Sequence, residues 1–488
     1  MDPRLFPKDF LWGASTASHQ VEGGTVNQWS EWELAHATEL ARMSAKRMSW
    51  MPSWKTVRHD AQDPENYVSG RGVEHYKRYE EDFDLLEDLH MNSFRFSIEW
   101  SRIEPKEGAW NPEAIRHYHR YIKSLQKRGI EPILNIWHWT MPTWFTNKGG
   151  FEKKANIVYF EEFVRKLAEE YGPELRYIIV LNEPNVYTTY SYLVGDWPPQ
   201  IKRPLLAFKV YRNLVRAHRR AYAVIKQVEP SVHVGTAMNM ANNQSKRGRN
   251  PFSPIVAHLA NYGWNRWFLN RTKKQTDFIG INYYNTNYYH GFSMHNPTTP
   301  VNDLGWYMEP EGILPVMVQT YAHYKKPIII TENGVADAKD RYRRWWIEQT
   351  LVAMQRALSQ GVDVRGYMHW SLLDNFEWAQ GWWPKFGLVA VDREHNMKRT
   401  IRPSAKWFAT YLERLEAFQV AREKGTGSKP PKLAAKPVPT PEKTNLASPK
   451  PSEGNSSMLR RKPNTENMDR TAFMRRFNTN LKDRNGER

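Results

Sequence analysis

Two short stretches of the chain each place a glutamate at the end of an apolar run. The run 177–181 leads to Glu183 just before a proline, and the run 327–331 leads to Glu332 just before an Asn-Gly pair. A short apolar run that stops at a chain breaker is typical of a buried parallel strand. A glutamate at the carboxyl end of such a strand stands where β/α barrels carry out chemistry. Two such carboxylates suit glycoside hydrolysis, which needs a proton donor for the leaving oxygen and an electron-rich group for the anomeric carbon.

The rest of the chain supplies elements that would hold these glutamates in a barrel. Strands alternate with helices, and this alternation predicts an α/β fold, an eight-stranded parallel (β/α)8 TIM barrel. A doubly wound open sheet is the alternative, which the absence of a glycine-rich dinucleotide fingerprint disfavours. The predicted strands are 10–12, 94–98, 131–137, 177–181, 232–236, 278–283, 327–331 and 364–370, and the predicted helices are 73–89, 112–128, 157–171, 204–228, 313–324, 341–360 and 403–415.

Two regions lack this alternation. Residues 27–72 are irregular and rich in Trp, Met and charge, which predicts an insertion over the barrel mouth. After the barrel domain, 1–418, residues 419–464 are rich in proline and lysine and are predicted to be a disordered linker. The basic tail 465–488 spaces Phe473, Phe477 and Leu481 four residues apart, which allows a short amphipathic helix or a solvated disordered tail.

Composition limits the classes of function. Of the net charge of +18, half lies in the last 70 residues, so contact with acidic surfaces such as nucleic acid or lipid is a question for the tail. There is no cysteine, which excludes disulfides and thiolate chemistry. The amino terminus lacks a secretory pattern and no run of 18 apolar residues occurs, so the protein is expected to be cytoplasmic with no transmembrane segment. No metal-binding spacing surrounds His138, and we expect neither metal nor other cofactor.

The two glutamate motifs, together with five further motifs in matching order, resemble the retaining β-glycosidases of glycoside hydrolase family one. The resemblance runs from about residue 6 to about residue 415. The five motifs are FLWGASTASHQVEG at 10–23, FRFSIEWSR at 94–102, HW at 138–139, GINYY at 280–284 and WSLLDNFEW at 370–378.

The resemblance implies a role for each matching residue. Glu183 is then the acid/base and Glu332 the nucleophile, with Arg95 and Tyr284 holding the nucleophile charged. Asn182 is expected to donate to the sugar 2-hydroxyl. The residues implied in substrate binding are Gln20, His138, Trp370, Glu377, Trp378 and Phe386, with Trp139 and Asn282 as weaker candidates. A buried arginine can equally tie strands together, and a lone histidine is often structural.

Three features depart from the family pattern or select among its members. Thr140 follows His138-Trp139 where the family often has aspartate, which puts local loop contacts in doubt. Relatives that act on phosphorylated sugars usually replace the tryptophan at position 378 and carry a Ser-x-x-Lys-x-Tyr grip, so an unphosphorylated sugar is predicted. The stretch between the fifth and sixth strands is short, so contacts to the aglycone should differ.

These observations favour an exo-acting retaining β-glycosidase, a β-glucosidase with β-galactosidase or β-fucosidase side activity, acting on small-molecule or oligosaccharide β-glycosides. Gln20 and Glu377 are expected to bridge the hydroxyls that differ between the gluco and galacto epimers. Three alternatives remain: a non-catalytic sugar- or protein-binding barrel, a 6-phospho-β-glycosidase, and a tail-driven binder of nucleic acid or membrane surfaces. The sequence leaves the oligomeric state open.

Overall fold

Eight parallel strands close into a barrel in the computed structural model, which describes residues 6–246 and 250–424. Each strand pairs with the next along the chain and the last pairs with the first, which confirms the predicted barrel over the open sheet. The strands are β1 (Leu11–Ser15), β2 (Ser93–Ser97), β3 (Glu131–Trp137), β4 (Tyr177–Asn182), β5 (His233–Ser245), β6 (Phe278–His290), β7 (Ile328–Asn333) and β8 (Val364–Trp370).

The strands are apolar along their length because both faces are covered. In β7, Ile329 belongs to a cluster inside the barrel, whereas its neighbours Ile328 and Ile330 pack in the larger core between strands and helices. All three are fully buried. Alternation of side chains along a strand therefore fills two cores at once, which is why the sequence shows a continuous apolar run.

The predicted outer helices are present, and their ends differ from the predicted ends by a few residues at most. The exception is the last helix, which continues to Glu423 rather than ending at residue 415. They are His75–Asp88, Pro112–Lys127, Ile157–Tyr171, Pro204–Val228, Ile313–Tyr324, Arg343–Ser359 and Pro403–Glu423. Asn111 illustrates a start signal, because its side-chain oxygen accepts from the backbone N–H groups of Glu113 and Ala114. None of the helices in the described part of the chain is long and apolar enough to cross a membrane. Residues 425–488, with most of the predicted linker and the whole basic tail, lie outside the described residues.

Residues 27–72, predicted to be an insertion over the barrel mouth, form helices that the sequence pattern did not predict. This segment forms the 21-residue helix Gln28–Met48, the helix Trp54–Ala61 and a 3-10 turn at Pro64–Tyr67. Asn27 caps the first helix, because its side-chain oxygen accepts from the N–H groups of Trp29 and Ser30, and the Ser30 hydroxyl accepts from the N–H of Asn27. The irregular look of the sequence comes from buried tryptophans and methionines mixed with exposed charges.

The strands β5 and β6 are much longer than predicted, at 13 residues each. They pair in parallel as far as Ser245 and Tyr289, so they extend beyond the other strands on the side where the strands end. The connection between them contains helices that the sequence did not predict, Phe252–Ala260 and Trp267–Thr272, joined by a π-helical turn at Asn261–Arg266. The remaining helices are short: Ser18–Val21, Trp100–Ile103, Thr143–Asn147 and Pro184–Thr189.

Small strands complete the molecule. The two-residue strand Ser293–Met294 pairs antiparallel with β6, and β9 (Val389–Asp392) forms a hairpin with β10 (Lys398–Ile401). The hairpin follows the segment that carries Glu377 and Trp378.

Candidate active site

Glu183 and Glu332 lie at the carboxyl ends of β4 and β7, as the sequence predicts. Glu183 follows the last residue of β4, and Glu332 is the second-last residue of β7. Both side chains are buried, with only 3% and 4% of their surface exposed. At Glu183 the chain turns sharply from strand to helix, with a φ of 44° and a backbone N–H that donates to the carbonyl of Ala237. The structure therefore brings both carboxylates to one end of the barrel and removes them from water.

Glu332 is held by a cation and a hydroxyl. The Nη1 of Arg95, a fully buried residue of β2, lies 2.5 Å from Glu332 Oε1. The Tyr284 hydroxyl donates to the other carboxylate oxygen at 2.8 Å. An ionised carboxylate is stabilised by both partners, so this environment favours the charged form of Glu332.

Glu183 has only neutral partners. Its Oε1 accepts from the side-chain amides of Asn282 at 2.8 Å and Asn239 at 3.1 Å. Among the described residues, no hydrogen bond or salt bridge joins Glu183 to a cation. The positive charge of Arg95, which lowers the pKa of Glu183, is bonded to Glu332.

The two environments separate the proton affinities of the pair. Burial, and after it the negative charge of Glu332, raises the pKa of Glu183 from 4.5 to about 8. Burial also raises the pKa of Glu332, but Arg95 and the Tyr284 hydroxyl oppose this rise directly. A pair that shares one proton near neutral pH therefore keeps it on Glu183, the arrangement that separates an acid from a nucleophile.

Asn182 connects the pair to His138. Its Oδ1 accepts from Arg95 Nη2 at 2.7 Å and from Asn282 at 3.0 Å. Its Nδ2 lies 3.0 Å from His138 Nε2, so that ring nitrogen acts as the acceptor. Burial and the nearby Arg95 hold the pKa of His138 well below its usual value, and the ring is neutral.

In the described part of the chain, the Gln20 Oε1 and the Glu377 carboxylate accept no hydrogen bond from the protein. The Gln20 amide nitrogen donates to Asn375 Oδ1 and to the Phe376 carbonyl, while its Oε1 is buried without a hydrogen bond in the described structure. Burial, followed by the charge of Glu332, raises the pKa of Glu377 to about 8. Acceptors left open in this way are suited to sugar hydroxyls, because a buried polar atom without a partner is costly.

Four aromatic residues implied in substrate binding surround this polar group. The ring of His138 is roughly parallel to those of Trp370, at 5.9 Å, and Trp378, at 6.0 Å. The Trp139 indole donates to the carbonyl of Asn182 at 2.9 Å and lies 4.8 Å from Trp378. Phe386 packs in one cluster with Trp370, and its ring centroid lies 6.3 Å from that of Tyr284.

The sequence motifs do not predict two further residues of the site, Asn239 and Trp197. Asn239 of β5 bonds Glu183, and Trp197 contacts both Trp139, at 4.7 Å, and Trp378, at 6.0 Å. The predicted strand 232–236 ends before Asn239, whereas the observed β5 runs to Ser245 and includes Asn239. Thr140, where the family often has aspartate, donates to Glu99 at 2.9 Å and so supports the loop below the site.

Comparisons with known proteins identify relatives of this chain in sequence and in structure. The model of the family described as glycosyl hydrolase family 1 matches residues 2–274 and 267–416. Beta-glucosidase A of Thermotoga maritima is 29% identical over 461 residues, which cover 85% of this chain and 99% of that protein. The solved beta-glycosidase from Pyrococcus horikoshii is 31% identical with a TM-score of 0.73, over 84% of this chain and 95% of that one. The solved beta-glucosidase from Thermotoga maritima in complex with glucoimidazole is 27% identical with a TM-score of 0.74, over 84% and 98% of the two chains.

Proposed function

The chain belongs to glycosyl hydrolase family 1, and we propose that it is an exo-acting retaining β-glucosidase that removes terminal, unphosphorylated β-linked sugars. The observation that carries the proposal is the pair Glu183 and Glu332, two buried carboxylates at one end of the barrel with opposite environments. The beta-glucosidases similar to this chain support glucose as the preferred sugar.

In the proposed reaction Glu332 attacks the anomeric carbon while Glu183 gives its proton to the leaving oxygen. The glycosyl group is then bound to Glu332, and Glu183, now ionised, takes a proton from the water that releases the sugar. Two inversions at the anomeric carbon give overall retention. Such a mechanism requires the carboxyl groups to be about 5–5.5 Å apart.

Substrate selection is assigned to the polar atoms that the protein leaves open. We assign Gln20 and Glu377 to the hydroxyls that distinguish glucose from galactose, Asn182 to the 2-hydroxyl, and Trp370 and Trp378 to the sugar ring. Side activity on β-galactosides and β-fucosides follows if Glu377 and Gln20 accept either epimer. The chain has Trp378 and lacks the Ser-x-x-Lys-x-Tyr motif of relatives that act on phosphorylated sugars, which supports an unphosphorylated sugar as the substrate.

The test compares wild type, Glu332→Ala and Glu183→Ala on chromogenic β-glucoside, β-galactoside and 6-phospho-β-glucoside. We expect wild type to turn over the unphosphorylated sugars and both variants to lose at least about 100-fold in rate. Azide should rescue Glu332→Ala by attacking C1 in place of the nucleophile, which gives an α-glycosyl azide. Azide should rescue Glu183→Ala by attacking the glycosyl-enzyme, which gives a β-glycosyl azide.

The stereochemistry of the azide product separates the two roles. Exchange of the products between the variants would reverse the assignment of nucleophile and acid/base. A folded wild type that turns over none of the three substrates would replace the proposal by a non-catalytic sugar-binding barrel. Preference for the phosphorylated substrate would select the 6-phospho-β-glycosidase.

A further inference from the structure

An apolar helix face is exposed at the rim of the barrel, beside the candidate active site. Helix Phe252–Ala260 packs on the extended ends of β5 and β6, where the Ser253 hydroxyl accepts from the backbone N–H of Gly291 at 2.8 Å. Its outer face presents Phe252, Ile255 and Leu259, each at least half exposed, and Tyr262 in the turn that follows. The spacing of three and four residues places these side chains in one row. Single exposed apolar side chains are ordinary, but a continuous row marks a contact surface.

Neighbouring side chains enlarge this row. Phe292, two-thirds exposed beyond the end of β6, stacks its ring 5.3 Å from that of Phe252. At the start of helix Pro204–Val228, Leu205 is 88% exposed and Phe208 is half exposed. The Phe208 ring lies 5.5 Å from Trp267, in the helix that continues from Tyr262. We call the five residues Phe252, Ile255, Leu259, Tyr262 and Phe292 the rim face.

The chain around the rim face is strongly basic. Residues 197–276 contain 15 Lys and Arg and a single acidic residue, Glu229. Within this segment 16 consecutive residues, 250–265, carry no Asp, Glu, Lys or Arg, and an arginine stands on either side. Among the basic residues of this segment that the structure describes, Arg220 and Lys226 are the ones that form salt bridges with carboxylates. The segment has a net charge of +14, more than the +9 of residues 1–418 as a whole, so the remainder of the barrel is acidic.

Several of the basic side chains stand at the rim. Lys202, Arg203, Lys209 and Arg212 are exposed around the start of helix Pro204–Val228, and Lys246 is exposed just after β5. In a β/α barrel the outer helices run opposite to the strands, so this helix begins on the side where the strands end. Exposed cations therefore border the rim face on the side of the active-site mouth.

We propose that the rim face is a docking surface for anionic lipid bilayers. The uncharged aromatic and aliphatic side chains would enter the boundary between headgroups and acyl chains, and the bordering lysines and arginines would contact acidic headgroups. Ile255 and Leu259, at the centre of the row, offer nothing to phosphates or bases, which argues against nucleic acid. A second copy of the chain would bring two segments of +14 together, which argues against a dimer through this face.

The rim face is connected to the candidate acid/base. The Trp264 indole, in the turn after helix Phe252–Ala260, donates to Asn239 Oδ1 at 3.1 Å, and the Asn239 amide donates to Glu183. From Asn239 to the end of β5 at Ser245 the strand rises roughly 20 Å. A docked molecule would thus hold its mouth close to the bilayer. If the protein is the proposed glycosidase, its substrates would be β-glycosides whose aglycone is a membrane lipid.

The test is sedimentation of the full chain with vesicles of phosphatidylcholine, alone or mixed with phosphatidylglycerol. The double variant Ile255→Glu/Leu259→Glu places two charges at the centre of the rim face. The matched control is Val26→Glu/Leu34→Glu, which adds the same number of charges at residues that are each 72% exposed, just before and within helix Gln28–Met48. We expect wild type and control to bind the anionic vesicles, and the double variant to bind at least about tenfold more weakly. The tail beyond residue 424 is the same in all three proteins, so it cannot cause the difference.

Equal binding of the double variant and the control would overturn the proposal. A wild-type dimer in sedimentation velocity that the double variant abolishes would assign the rim face to self-association instead. A loss of RNA binding with no loss of vesicle binding would assign it to nucleic acid.

Enzymatic assays keep this proposal distinct from the proposed function. The double variant should hydrolyse a soluble chromogenic β-glucoside as fast as wild type, and should lose activity only on a glucosyl diacylglycerol presented in anionic vesicles. If no protein hydrolyses the soluble glucoside while the vesicle binding differs as expected, the docking surface stands and the glycosidase proposal fails. If the lipid glucoside is hydrolysed equally by both, the lipid-linked substrate class is refuted.

Discussion

Glu183 and Glu332 are the same type of side chain, buried to the same degree, and differ only in their neighbours. Glu332 is paired with Arg95 and Tyr284, whereas Glu183 accepts from two neutral amides. A charge-assisted pair holds a carboxylate ionised at a buried site, but an amide compensates burial only in part. The position of Arg95 on β2, next to Glu332, therefore determines that Glu183 is the carboxyl group that keeps the proton.

At this scale we predict that Asn239→Ala changes the pH dependence of turnover. The pKa of Glu183 is about 8, and a general acid must be protonated, so kcat/KM of wild type should fall as the pH rises through about 8. The hydrogen bond from Asn239 lowers this pKa. Its removal should move the alkaline fall of kcat/KM upward by up to about one pH unit.

Asn243→Ala is the control for this measurement. Asn243 lies on the same strand but bonds Asn261 and Asn287 rather than Glu183. A profile of kcat/KM against pH that moves equally in both variants, or moves downward in Asn239→Ala, would contradict the assigned contact.

Among the elements, helix Gln28–Met48 is tied to the barrel by its own cap. Asn27 caps the helix with its side-chain oxygen, and its Nδ2 donates to the buried Glu99 at 3.2 Å. Glu99 in turn accepts from Ser18, Ser101 and Thr140. One side chain therefore serves both the start of the helix and a buried carboxylate near the mouth.

We predict that Asn27→Ala destabilises the protein more than an ordinary cap substitution. Loss of the cap alone costs about 1 kcal/mol, and the lost partner of the buried Glu99 adds about 1–3 kcal/mol. The matched variant is Asn111→Ala, because among the described residues the Asn111 side chain bonds only the backbone N–H groups of Glu113 and Ala114. Urea unfolding of both variants measures the difference, and equal losses of unfolding free energy would show that the Glu99 contact contributes nothing.

At the scale of the whole molecule, burial of carboxylates couples the fold to pH in both directions. The pKa values of Glu183 and Glu377 are raised to about 8. That of Asp82 is lowered, because hydrogen bonds from His75 and Arg399 outweigh its burial. A raised pKa contributes stability below the unfolded value that is lost as the pH rises through the folded value, and a lowered pKa does the reverse.

We predict that Glu377→Gln makes the melting temperature less sensitive to pH between about 4.5 and about 8. Between its usual pKa of 4.5 and about 8, the folded chain holds a proton on Glu377 that the unfolded chain has lost, so wild-type stability declines over this range. Glutamine has no such proton to lose. Melting temperatures from about pH 5 to about pH 9 should therefore fall less in Glu377→Gln than in wild type.

The control is Glu413→Gln, on the exposed side of the last helix. If the melting temperature falls with pH equally in wild type, control and Glu377→Gln, Glu377 does not titrate as its burial implies.

Local patterns in the sequence were enough for the barrel and for the positions of its glutamates. Apolar runs and the chain breakers after Glu183 and Glu332 act between neighbours along the chain, so they can be read without the fold. The helix Gln28–Met48 could have been found as well, since its buried residues Trp29, Trp32, Ala37 and Ala41 recur at helical spacing after a capping asparagine. The helix Phe252–Ala260 gave little signal, because it contains no charged residue and includes a proline.

Only the tertiary structure decided how the two glutamates differ and what surrounds them. The partners of Glu183 come from β5 and β6, 56 and 99 positions along the chain, and the arginine of Glu332 comes from β2, 237 positions away. The proton affinity of a carboxylate depends on its burial and on charges within a few ångströms, and neither can be read from the sequence around it. For the same reason the exposed row on helix Phe252–Ala260 becomes visible only in the fold, since an apolar run in a sequence does not tell which of its faces the barrel covers.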